Sequence, residues 1–63
     1  MTPGSPLGIA DLELVYDDLA TAIDHAGPEK AELFLVKLAL LNANALGDAE
    51  VFRRNLRAAL EDL

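Results

Sequence analysis

The side chains of this 63-residue chain that could do chemistry are few, and their spacing limits each one. His25 is the only histidine, and there is no cysteine. As a metal ligand or proton shuttle, His25 would need help from Asp24 or Glu29. As the penultimate residue of a helix it needs none, because an imidazolium is favoured at the negative end of the helix dipole. Asp11, Asp17, Asp18 and Asp24 could in principle hold a divalent cation. Bundles that do so place Glu and Glu-x-x-His on facing helices. No Glu-x-x-His occurs here, and Asp17 and Asp18 are sequence neighbours whose side chains diverge on a helix. A solvated acidic face accounts for them. A nucleophile would have to be Thr2, Ser5 or Thr21, since cysteine is absent. Thr2 and Ser5 sit among prolines and glycines that fix no geometry beside a base, and geometry comes before pKa. Small acidic helical acyl carriers open a helix with Asp-Ser-Leu, a motif this chain lacks. The sequence therefore predicts no catalytic residue, no metal and no cofactor.

Lys37, Asn42 and Asn44 are different, because they interrupt an apolar tract. A polar group in apolar surroundings is costly unless it is paired. Lys37 can lay its stem along apolar surface and keep its ammonium in water. The asparagines can fix the register between helices, as a single asparagine does in a coiled coil. The functional alternative is a small polar pocket for a ligand at these three residues. Arg53, Arg54 and Arg57 make a short basic patch that could take a phosphate or an acidic partner, or serve as a solvated face with local glutamates. Glu50 and Arg54 are spaced as an i,i+4 pair, worth about 0.2–0.5 kcal/mol.

The elements that carry these residues are helices. Ala31 to Leu46 reads AELFLVKLALLNANAL. At 3.6 residues per turn it is apolar nearly all round, so it requires cover from several directions. Ahead of it, Ile9, Leu12, Val15, Tyr16, Leu19, Ala22, Ile23 and Ala26 recur at helical spacing, which predicts a helix from about Ala10 to Ala26 with Tyr16 in its core face. Leu14 stands off that stripe and predicts a second contact. Gly27-Pro28 closes the first helix and opens the second, with proline suited to the first helical position and Glu29 and Glu32 in the first turn. Gly47 is a C-terminal cap and Asp48 an N-cap for a third helix from about Ala49 to Glu61. Phe52, Leu56, Ala59, Leu60 and Leu63 lie on one side of that helix and the arginines on the other. Residues 1–8, MTPGSPLG, read as a flexible lead-in, with Leu7 and Ile9 available as a short anchor. Residues 9–63 read as one domain.

Size and charge bound the possibilities further. A chain this short buries about 60% of its unfolded surface when it folds alone, so its stability is marginal. Such scaffolds add disulfides, a metal or a partner, and the absence of cysteine leaves the partner. The apolar content of 52% is more than a small interior can hold. Eleven acids against five bases give a net charge of −6, which disfavours nucleic acid and anionic membranes as partners. The longest apolar run is broken by Lys37, short of the roughly 20 residues that span a bilayer. No signal peptide is visible, so a cytoplasmic location is expected. The charge is also segregated. Apart from His25, every ionisable side chain before Lys30 is acidic except Tyr16, and three of the five bases fall between Arg53 and Arg57. An acidic first helix and a basic third helix can attract one another, within a chain or between chains, and set register and partner choice.

Four stretches in order, Tyr16-Asp17-Asp18-Leu19-Ala20, Gly27-Pro28-Glu29-Lys30-Ala31-Glu32, Phe34-Leu35-Val36-Lys37-Leu38-Ala39-Leu40-Leu41 and Leu46-Gly47-Asp48, resemble a small bacterial family known as "domain of unknown function 2783". Its short chains carry an FLxKLALLLA core followed by GD. The resemblance covers Ile9 to Leu60, and the chain departs from it at Asn42 and Asn44. It implies a single helical domain and an accessory role beside flavin-dependent aromatic hydroxylases. It carries no catalytic residue with it.

Together these readings predict an all-α fold: a helical hairpin plus a shorter third helix, the bundle completed by oligomerisation. The expected function is a non-enzymatic interaction module, with the chain itself as first partner and a metabolic flavoenzyme as second. Leu33, Phe34, Leu35, Leu38, Leu41, Leu46, Phe52 and Leu56 are the predicted interface. The alternative is a small-molecule binder with its pocket at Lys37, Asn42 and Asn44.

Overall fold

The computed structural model describes residues 7–63. It contains three helices, α1 (Ile9–Ala26), α2 (Ala31–Leu46) and α3 (Ala49–Leu60), and no strand among the described residues. The ends of α1 and α3 fall within one residue of those the spacing predicts, whereas α2 starts three residues after Pro28. Most of the lead-in, residues 1–6, lies outside the described residues. Of the proposed anchor, Leu7 is 38% exposed and Ile9, already the first residue of α1, is 78% exposed.

The two turns follow from local chemistry. At the first, the Gly27 N–H donates to the Ile23 carbonyl at 3.1 Å and closes α1. Gly27 does so at φ 81°, a region open to residues without a Cβ. The Lys30 N–H then donates back to the Gly27 carbonyl at 3.1 Å. That bond makes Gly27–Lys30 a tight turn with Pro28 in its second position, where a fixed φ near −65° suits it. Pro28 therefore does not open α2 as its type suggests, and Glu29 lies in the turn, not in the helix. Of the two glutamates, Glu32 alone occupies the first turn of α2.

At the second turn, Gly47 takes the left-handed conformation (φ 74°, ψ 16°), and its N–H reaches the Ala43 carbonyl at 3.0 Å. Asp48 then caps α3. Its Oδ1 accepts from the backbone N–H groups of Glu50 at 2.9 Å and Val51 at 3.2 Å, which have no partner within the helix. One turn along, Arg53 donates to Glu50 at 3.0 Å. The predicted Glu50–Arg54 pair is replaced by this i,i+3 pair. Both spacings lie within reach of a helical glutamate, and the structure takes the shorter one.

The helices meet mainly at their joints. Almost every close backbone approach is between residues fewer than twelve apart, so α1 nears α2 beside the first turn and α2 nears α3 beside the second. No Cα of α1 lies within 8 Å of a Cα of α3. The radius of gyration is 12.8 Å, against about 10.5 Å for a compact chain of this length. The result is an open zigzag of three helices. Within the described residues it buries no side chain fully.

Because the Asp48 cap anchors α3 where little tertiary packing helps, its loss is expected to show directly. Asp48→Ala should cost about 1 kcal/mol and lower the melting temperature by about 4–8 °C, while Asp48→Asn should stay within a degree or two of wild type. Thermal unfolding followed by circular dichroism checks both. Equal melting for the alanine variant would mean that α3 is held by something other than its cap.

Candidate functional site

In the absence of a buried core, the functional surface is sought among apolar side chains that the chain itself leaves uncovered. The central helix offers three faces. Ala31, Phe34 and Leu38 turn toward α1 and are half-buried there, opposite Leu19, Ala22, Ile23 and Ala26. Ala39, Ala43 and Leu46 lie on a second side and are half-buried near Val51 and Phe52 at the start of α3. The third face carries Leu33 (57% exposed), Val36 (50%) and Leu40 (64%), which the other described residues leave at least half open. A helix apolar nearly all round thus receives two neighbours, each over part of its length.

Between α1 and α2 the splay leaves a groove of about 390 Å³. Val15, Leu19, Ala22, Phe34 and Leu38 line it, with Asp18 and Asn42 supplying the polar side chains. Along the outer side of α2 lies an open depression bordered by Lys37, Leu40, Leu41 and Asn44. Lys37 and Asn44, seven residues apart in the sequence, share that surface. Asn42 faces the α1–α2 groove instead. The structure therefore separates the three polar residues that a single pocket would have to unite. None of the three makes a hydrogen bond to another side chain among the described residues.

The predicted interface residues divide in the same way. Phe34 and Leu38 are half-buried in the α1–α2 groove, and Leu46 and Phe52 are half-buried around the second turn. Leu33, Leu35, Leu41 and Leu56 are 57, 40, 69 and 52% exposed and stay available to another molecule. Tyr16 is a correction, since the spacing places it in a core and it is 72% exposed. The face of α1 that meets α2 is centred on Val15, Leu19 and Ala22, and Tyr16, about 100° from Val15 around the helix, points away from the groove. Leu14, expected to make a second contact, is 59% exposed. Val36 and Leu40, 50 and 64% exposed, are not among the predicted interface residues but share a face of α2 with Leu33. Their i,i+3,i+7 relation to Leu33 was the available signal.

The charged residues also keep apart. Asp11, Glu13, Asp17, Asp18 and Asp24 on α1 have no Lys or Arg partner among the described residues, and Arg53–Glu50 is the one ion pair there. His25 lies in the last turn of α1. Among the described residues, no three His, Cys, Asp or Glu side chains gather as a metal site would require. None of the described helices is long and apolar enough to cross a membrane. Compared with protein-family models, with curated proteins and with solved structures, the chain matches none.

Two substitutions separate the packing of α1 on α2 from the exposed stripe of α3. Leu38→Asp puts a carboxylate into the apolar groove near Asp18, a change expected to cost a few kcal/mol. Its helical circular-dichroism signal should fall. Leu56→Asp alters a side chain of α3 that is 52% exposed in the single chain. It should weaken association measured by sedimentation, and higher concentration should recover it. If Leu38→Asp melted like wild type, the groove would not be packed in solution.

Proposed function

We propose that this chain is a non-enzymatic helical interaction module that assembles with copies of itself through the exposed faces of its central and flanking helices. The observation that carries this reading is that no described residue is fully buried while large apolar side chains on all three helices stand open. A folded monomer of 6.7 kDa exposes about 3,900 Å², whereas this chain exposes 5716 Å². The surplus is about 1,800 Å² per chain, and obligate interfaces bury about 1,000–2,500 Å² on each partner. Even half of that surplus would match the roughly 800 Å² per partner of a standard stable interface. Covering one leucine that is more than half exposed contributes about 1–2 kcal/mol. Several such residues per chain offset the ordering and rigid-body costs of association.

The resemblance at Gly27–Glu32, Phe34–Leu41 and Leu46–Asp48 supports membership of the "domain of unknown function 2783" family. With it comes a role as accessory subunit to a flavin-dependent hydroxylase. In that reading the assembled module, not the isolated chain, presents the acidic surface of α1 to the enzyme.

Light scattering on a size-exclusion column at micromolar concentration should give a mass that is a multiple of 6.7 kDa and larger than one chain. The melting temperature should rise with protein concentration, because association stabilises only the folded chain. A monomer that unfolds cooperatively at a concentration-independent temperature would rule out self-assembly. Affinity purification from the native cell tests the second part, and a co-eluting flavoprotein is the expected result.

A further inference from the structure

The third helix poses a problem that its own chain does not solve. Its apolar stripe runs through Phe52, Leu56 and Leu60, at i,i+4 spacing. Phe52 is half-buried beside the second turn, but Leu56 is 52% and Leu60 62% exposed. Beyond its first turns, α3 leaves α2 and makes no close approach to α1. Arg57 sits beside this bare stretch, about 60° around the helix from Leu60. It has no carboxylate partner among the described residues. The first helix presents the converse. Its groove against α2 is apolar along Val15, Leu19 and Leu38, and Asp18 on that groove has no cationic partner among the described residues. An amphipathic helix with a flanking cation and an apolar groove with a flanking anion are complementary in both hydrophobicity and charge. Yet no Cα of α1 approaches a Cα of α3 within 8 Å in the chain.

We infer that the occupant of the α1–α2 groove is α3 of a second copy, and that the exchange is reciprocal. This rests on the self-assembly proposed above and specifies its contact. An isologous arrangement places each α3 in the other copy's groove, so every pairing occurs twice. Leu56 and Leu60 enter between Val15, Leu19 and Leu38, as an amphipathic helix fills an apolar groove. Arg57 meets Asp18 at the edge. The ion pair contributes modestly to affinity and strongly to orientation, since the reversed docking would leave Arg57 away from the acid. The arrangement covers on α3 and α1 what the open zigzag leaves bare.

Charge reversal tests the pairing across copies. Asp18→Arg confronts arginine with Arg57, and Arg57→Asp confronts aspartate with Asp18, in each case twice per dimer. Each variant alone should dimerise at least about tenfold more weakly than wild type by sedimentation equilibrium. Mixed in equal amounts, the two variants should form a heterodimer, because each reversed charge then faces its opposite. Where a single variant proves unfolded by itself, regained helicity in the mixture serves as the readout. The same exchange made in one chain, D18R/R57D, should restore the homodimer. If wild type assembles but the mixture does not re-form the complex, the groove holds something other than α3 and self-assembly stands. If the single variants assemble like wild type, the Asp18–Arg57 pairing is wrong. If wild type is a cooperatively folded monomer, both inferences fall together.

Discussion

A helix that is apolar on every side needs neighbours on every side, and this constraint governs the rest of the structure. From Ala31 to Leu46 the only side chains that break the hydrophobic surface are Glu32, Lys37, Asn42 and Asn44. Two flanking helices cannot enclose such a rod when each is tied to one end of it. The turn at Gly27–Lys30 brings α1 against Phe34 and Leu38, and the turn at Gly47-Asp48 brings α3 against the region around Leu46. Away from these joints the helices part. The face through Leu33, Val36 and Leu40 is then left at least half exposed by the described residues. Burial of apolar area is the main favourable term in folding, and conformational entropy is of similar size against it. This fold leaves much of that term unrealised within one chain.

The elements were legible because each is announced by local chemistry. Three- and four-residue spacing of apolar side chains gives α1, the near-continuous apolar run gives α2, and Gly47-Asp48 gives the boundary before α3. Asp48 caps as its type and position imply. Gly27-Pro28 was legible as a break and not as a geometry. Proline suits both the second position of a tight turn and the first position of a helix, and the bond from the Lys30 N–H to the Gly27 carbonyl selects the first. The Glu50–Arg53 pair reflects a similar degeneracy, because i+3 and i+4 are both neighbours on a helix.

The surface was less legible than the elements. Periodicity shows that α1 has an apolar stripe, but not which part of a broad stripe will meet α2. The contact settles on Val15, Leu19 and Ala22, leaving Tyr16, Leu12 and Ile9 outside it. The rotation of one helix against another is decided by packing between elements, which no single stretch of sequence encodes. Lys37 and Asn44 fall together because seven residues is nearly two turns, whereas Asn42 is carried toward α1. A pocket imagined from proximity in the chain divides into two surfaces once the helix is wound.

The short sequence separation of nearly all close approaches has a kinetic meaning. Helical chains with such local topology fold in microseconds to milliseconds, and single helices form in about a microsecond or less. The three helices can therefore form without waiting for contacts between distant parts of the chain.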